Sequence, residues 1–437
     1  MASPIEAETS IFDRKLSTVV PARITGEDKV HQFTAMDLAV KLHYITTVHF
    51  FGVDAAEGLN FQDLKAPMFR WLQLYYPICG RIRRHDSGGR PFVKCNDSGV
   101  RIVEAKCRKT VAEWLSDFDS GDRRSQSLLI YHQPLLAHDF GYTPLVFLQV
   151  YLTQFKCGGL SVGMSWAHIL GDAFSASECI NIWGKIMSNQ KVPSHLNCPI
   201  TIQQFYTSSS SRASTCRSVR PLDPPLGDNW LTPNNFKMQT HTFRISDKQL
   251  SNLLSEETKH TYRVKPFEVI SAVVWKSMAK TRGNKIITVC KKSDEFDETG
   301  MEHEMLGNTR QVIGTVEAPT TGVIKDSDFL EIAKMIADKF VEETSVIEKR
   351  MEEGNGDVDF LVYGTNLTFV DLEEVDLWGL QINGRGPVFA DMSIGGVGDE
   401  GAVVVVQNRG GRNVNVILEE DQLHHLKNEL RVEYGIL

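Results

Sequence analysis

The chain has 437 residues, 42% hydrophobic and 23% charged, with a formal net charge of −8; this is the composition of an ordinary globular protein. The negative balance argues against a general nucleic-acid binder, which presents a basic face. No apolar run reaches the ~18 residues of a membrane span.

At about 150 residues per domain the length suits two or three domains. The opening Met1-Ala2-Ser3-Pro4-Ile5-Glu6 lacks the basic-then-apolar layout of a secretory signal. Eight cysteines are scattered without a C-x-x-C pair, which reads as reduced, cytosolic thiols.

In chain order, residues 1–17 are polar, and Thr34-Ala35-Met36-Asp37 opens a short helix. Tyr44 to Phe51 is rich in β-branched and aromatic residues and reads as a strand. Asn60 to Tyr76 reads as an amphipathic helix with Leu64, Met68, Leu72 and Tyr75 on one face. Pro67 predicts a kink there, or a start near Ala66, because an interior proline costs about 3 kcal/mol. Pro91–Lys94 and Val100–Val103 read as a hairpin, and Pro144–Phe155 with Gly159–Ala167 as a second. A Ser- and Pro-rich stretch over 189–236 is a long connection. It divides the chain into 1–188 and 237–437. The second part offers strands at 238–245, 286–289, 366–370, 388–394, 403–406 and 414–418. Its helices fall at 246–256, 266–280, 328–352 (one long charged helix) and 419–432. Strands and helices mix without a strict βαβ repeat, a mixed α/β pattern.

The chemistry points to Leu160–Asp172. Leu160, Val162, Met164 and Trp166 alternate with small residues, as in a half-buried strand. His168 follows on the parity of the large residues, so its ring faces inward. Asp172 then stands where a helix N-cap belongs, ahead of Ala176, Cys179, Ile180, Trp183 and Ile186. A neutral imidazole at that turn can act as a general base, with Asp172 orienting the ring or holding the turn through an arginine. A triad would need a nucleophile, and Gly163-Met164-Ser165-Trp166-Ala167 misses the elbow pattern by its last residue and lies inside a strand. A metal would need a third ligand at ligand spacing. The plainest alternative is a half-buried histidine bonded to backbone.

The H-x-x-x-D pattern is not alone. Leu74-Tyr75-Tyr76-Pro77 with Gly80-Arg81-Ile82, Cys95–Val100, Lys156–Leu160, Phe267–Ala272 with Val274-Trp275-Lys276, and Gly307-Asn308 together resemble the plant BAHD acyltransferase family. The resemblance implies two similar mixed α/β domains, like chloramphenicol acetyltransferase, joined by a long crossover with a tunnel between them. It implies no permanently bound cofactor, with acyl-CoA as the substrate entering from one side and an acceptor from the other. His168 would deprotonate the acceptor for attack on the thioester, and Asp172 would be mainly architectural.

The chain departs from that family at its second signature, D-F-G-W-G, where Asp376-Leu377-Trp378-Gly379-Leu380 stands. Ala173 replaces the usual glycine after the aspartate, and Cys290–Asp294 leads into an acidic run instead of a basic, proline-rich one. Ser165–Ser177, Asn366–Val370 and Gly395–Asp399 resemble the eceriferum and Glossy subgroup of cuticular wax synthesis. That likeness implies an accessory protein of very-long-chain fatty acid elongation. It would act beside a condensing enzyme (3-ketoacyl-CoA synthase) at the cytosolic face of the endoplasmic reticulum, with the nucleus a second location, and be monomeric by itself. The alternative is a working acyl-CoA-dependent O-acyltransferase with His168 as its base. Asp376 is expected to be a salt-bridged architectural residue. Asn308 is expected to border the tunnel or make a turn.

Overall fold

The computed structural model describes residues 10–84, 89–119, 128–139, 150–192, 215–255, 264–294, 306–354 and 358–436. Two mixed sheets dominate. The first runs, edge to edge, through Ile11–Val19, Val100–Cys107, Val150–Phe155, Leu160–Ala167, Tyr44–Phe51 and Phe389–Gly395. The second runs through Met238–Ser246, Gly411–Glu419, Ala402–Asn408, Thr368–Leu372, Ile286–Lys292, Gln311–Glu317 and Val341–Glu342. Each carries helices, so the fold is mixed α/β in both halves, as the sequence predicts.

The last strand of the first sheet comes from the far end of the chain. Phe389–Gly395 pairs antiparallel with Tyr44–Phe51, from Phe389 opposite Phe50 to Gly395 opposite Tyr44. Sheet membership therefore crosses residue 236. One apolar core also runs through both halves, with Met164 and Trp166 in the same buried cluster as Tyr363, Val370 and Val404.

The pairing of Val150–Phe155 with Leu160–Ala167 confirms that hairpin over its described residues; 144–149 lie outside them. The strand Leu160–Ala167 is buried on both faces, where alternation predicted one. The small residues are small because something covers them: a Cβ on Gly163 would collide with the Leu129 carbonyl.

Three other expectations are corrected. Phe92–Lys94 and Val100–Cys107 are not a hairpin; the former pairs with Arg81–Arg83 and Val30–Gln32, the latter with the first large sheet. The five-residue link, Cys95–Gly99, joins two sheets instead of reversing within one. The helix Phe61–Leu74 keeps Pro67 in its interior and does not begin at Ala66. Its N-terminus is doubly capped by Asn60 and Asp63, and Leu64, Met68, Trp71 and Leu72 are buried. The indole of Trp71 donates to the Cys179 carbonyl at 2.7 Å, docking this helix on Ala173–Met187. Those contacts outweigh one lost backbone bond. Finally, 328–352 is two helices, Phe329–Asp338 and Thr344–Glu353, split by Val341–Glu342 pairing with Gly314 and Thr315. The break is held by Glu343. Its buried carboxylate accepts from the backbone N–H groups of Arg217 and Ser218, both at 2.7 Å, and from the Thr315 hydroxyl at 2.9 Å. The sequence reading missed the strand Gln311–Glu317 altogether.

Candidate functional site

The strand Leu160–Ala167 ends in a tight turn, His168–Leu170, and Asp172 caps the helix Ala173–Met187. The turn is fixed from three sides. The Trp166 indole donates to the Gly171 carbonyl at 2.9 Å. The backbone N–H of His168 donates to the His43 carbonyl at 3.0 Å. Residues 307–310 from the second half close the third side: Gly307 N–H donates to the Leu170 carbonyl, and Asp172 N–H to the Gly307 carbonyl, at 2.9 and 3.2 Å. Gly171 permits this approach, since a Cβ there would lie 2.8 Å from Ser175 Cβ and 2.9 Å from Gly307 N.

Asp172 is fully buried and its carboxylate is spent on backbone. Oδ1 accepts from Ser175 N–H at 3.0 Å and Oδ2 from Arg310 N–H at 2.9 Å. The Arg310 guanidinium pairs with Glu178 at 2.9 Å. Of the two roles open to Asp172, holding the turn is the one these contacts perform, through the backbone of Arg310. Asn308 couples the turn to the short helix Ala35–Ala39. Its amide donates to the His168 carbonyl at 2.9 Å and to Asp37 Oδ1 at 2.8 Å.

His168 itself is only 2% exposed. Its Nε2 lies 2.8 Å from the hydroxyl of Tyr363, also buried. Burial lowers the His168 pKa, against the opposing pull of its own carbonyl, Asp172, Asn308 and Asp37. Burial likewise raises the Tyr363 phenol well above 10. Both rings are thus neutral near pH 7, and in the Nδ1–H tautomer of His168 the phenol O–H donates to Nε2.

Tyr363 is held from below. Its N–H and that of Val362 donate to His43 Nε2 at 3.3 and 3.2 Å, while His43 Nδ1–H donates to the Gly396 carbonyl at 2.9 Å. Burial, then the neighbouring His168, push His43 down to about 3, so it stays a neutral strut. Four residues before Tyr363, Asp359 pairs with Lys41 at 2.5 Å, both side chains 1% exposed.

Asp376 is exposed and attached to the same helix as Asp172. Its carbonyl accepts from the Ser177 hydroxyl at 2.5 Å and the Asn181 amide at 2.8 Å. Its carboxylate accepts from Trp378 N–H at 3.1 Å and Asn181 at 3.3 Å. The expected salt bridge is absent among the described residues: two amide groups take the place of a cation. Ser177 and Asn181 lie five and nine residues beyond Asp172, about 8 and 14 Å along the axis, so one helix links both signatures.

The structure therefore gathers His168, Asp172 and Asn308, ties Asp376 to the same helix, and adds Tyr363, His43, Lys41 and Asp359. The sequence reading named none of those four. The apolar run Phe360–Tyr363 between Asp359 and Gly364 signals core, but nothing local says that its phenol meets a histidine 195 residues away.

Comparison with known proteins agrees with this architecture. Residues 11–294 match the family model described as "Transferase family". Protein ECERIFERUM 2 of Arabidopsis thaliana is 37% identical over 95% of this chain and 97% of its own. Protein ECERIFERUM 26 of the same plant is 33% identical over 99% and 98%. Among solved structures, F. graminearum TRI101 complexed with coenzyme A and deoxynivalenol superposes with a TM-score of 0.69 at 15% identity, covering 92% of this chain and 97% of that one; it shares the fold. The chain is a member of the BAHD transferase family.

Proposed function

We propose that this protein is an accessory factor of very-long-chain fatty acid elongation in cuticular wax synthesis, working without acyl transfer. It would act at the cytosolic face of the endoplasmic reticulum beside a 3-ketoacyl-CoA synthase. No helix among the described residues is long and apolar enough to cross a membrane, so the partner would supply the membrane attachment. The likeness to the eceriferum proteins over nearly the whole chain supports the process. The observation that carries the non-transferring part is the occupied His168: the nitrogen that would take an acceptor's proton is already hydrogen-bonded to the Tyr363 hydroxyl in a buried pair.

In this reading His168 and Asp172 hold the junction of the two halves, Asp376 fixes the loop that follows, and acyl-CoA is a ligand by way of the elongase. Long chains suit such a role, because each CH₂ sheltered from water gains about 0.8 kcal/mol. A protein that covers part of the chain biases which length is made. The test is to express the condensing enzyme in yeast with and without this protein and read acyl-CoA chain lengths. The expected result is longer products only when both are present, with no ester formed by purified protein from acyl-CoAs and alcohols. An unchanged length profile, or ester formation, would overturn the reading.

A further inference from the structure

We propose that Tyr363 is a built-in occupant of the acceptor position: its phenol hydroxyl stands where an acceptor hydroxyl would have to stand, and this contact decides that His168 receives none. A hydroxyl that hands its proton to a base must come within about 2.6–3.2 Å of it. The Tyr363 hydroxyl is 2.8 Å from Nε2. Any alcohol from outside must break this bond and also displace a ring that is 1% exposed.

The backbone that carries the ring is fixed, and the ring is packed. Its backbone N–H is bonded to His43 Nε2, and its carbonyl accepts from Gly398 N–H at 2.9 Å. The ring packs edge-on against His43, with centroids 4.7 Å apart. The next residue, Gly364, has a φ of +88° and no room for a Cβ against Gly398, so the turn behind Tyr363 is closed as well. Below it, the Lys41–Asp359 pair fixes the segment's start, with Lys41 also 5.6 Å from the centre of the Trp230 ring. Tyr363 is thus placed by three contacts of its own, with the Gly364 turn and the Lys41–Asp359 pair holding the chain on either side, and its hydroxyl meets the candidate base. The pair is not a disguised catalytic dyad, because moving the proton would create a buried phenolate beside a buried imidazolium, and burial opposes both.

This inference deepens the non-transferring reading and rests on it only for its consequence. It makes a claim about binding that can be measured alone. If the phenol fills an acceptor-shaped space, removing it in Tyr363→Ala leaves a cavity that takes a small phenol and favours a hydroxyl over a methyl-only analogue, as His168 Nε2 is left without its donor. The experiment uses the full chain, with p-cresol and toluene as probes, and reads binding by calorimetry and by the shift in melting midpoint. The expected result is that p-cresol binds Tyr363→Ala about tenfold or more tighter than toluene, the effect of one hydrogen bond, and that the wild type binds neither. Equal binding of the two probes, or no binding to a folded variant, would overturn the proposal.

Should the alanine variant not fold, Tyr363→Phe keeps the ring and removes only the hydroxyl. With histidine labelled by ¹⁵N, the Nε2 resonance of His168 is expected to move on that substitution, and an unmoved resonance would refute the contact. A negative elongation assay with positive p-cresol selectivity would remove the accessory role and keep the occupant. The converse pattern would do the reverse.

Discussion

Lys41→Met is the perturbation whose size can be worked most directly from the structure. Lys41 and Asp359 are paired at 2.5 Å with 1% of either side chain exposed. Losing the ammonium leaves the carboxylate buried, with the Leu226 N–H as its remaining donor among the described residues. Breaking such a pair from one side costs about 3–5 kcal/mol. The urea slope is at most about 3 kcal/mol/M for small proteins and grows with chain length, so the unfolding midpoint should fall by up to about 1–1.7 M. The assay is urea denaturation followed by tryptophan fluorescence, with Trp230 as a nearby reporter. Adding Asp359→Asn to the same chain removes the stranded charge while keeping an oxygen for Leu226, so more than half of the loss should return. A midpoint that moves by less than about 0.3 M in Lys41→Met would refute the claim that this pair anchors the segment carrying Tyr363.

Further outcomes follow from the same geometry. Gly171→Ala places a Cβ 2.8–3.0 Å from Ser175 and Gly307 and should cost about 1–3 kcal/mol by thermal melting; a neutral result would mean the 307–310 segment does not need to lie so close. Asp172→Ala removes the acceptor for both Ser175 and Arg310 and should cost about 1–3 kcal/mol. Asp172→Asn, which keeps one acceptor oxygen, should recover part of that, and identical losses for the two variants would count against the capping account. Burial, reinforced by Glu373 and Glu268 and opposed by the Glu373 N–H and by Lys265, raises Asp371 to about 7. A carboxyl raised on folding gives stability that is present at low pH and lost as pH climbs through the folded value. Asp371→Asn should therefore be more stable than the wild type at pH 8 and converge with it near pH 4; parallel profiles would contradict this.

What could be read in the sequence was local. The alternation of Leu160–Trp166 gave the strand, and the spacing of Ala176, Cys179, Ile180 and Trp183 gave the helix that Asp172 caps. What could not be read came from partners distant in the chain. Phe389–Gly395 reads correctly as a strand, but nothing in its seven residues says that it joins the sheet of the first half. Two errors had the same source. Besides a kink, Pro67 allowed a helix start near Ala66, because the contacts that keep it inside the helix come from Cys179 and the core. The break at Val341–Glu342 was invisible because the groups that hold it belong to Arg217, Ser218 and Thr315. At the site, the pattern pointed to His168 and Asp172 but could not reveal the occupant of Nε2. Phe360–Tyr363 looks like any short core strand, and its meeting with His168 exists only in the folded chain.

The central claim is that His168 serves this protein by accepting a hydrogen bond rather than a proton. His168→Gln separates the two, since a glutamine carbonyl can accept from Tyr363 but cannot act as a base at neutral pH. The measurement is the chain-length profile of acyl-CoAs in cells co-expressing the condensing enzyme with the wild type or with His168→Gln at matched protein levels. The account predicts the same shift toward longer chains from both. A shift that disappears with His168→Gln, while that variant remains folded and as abundant, would contradict it and return His168 to the role of general base.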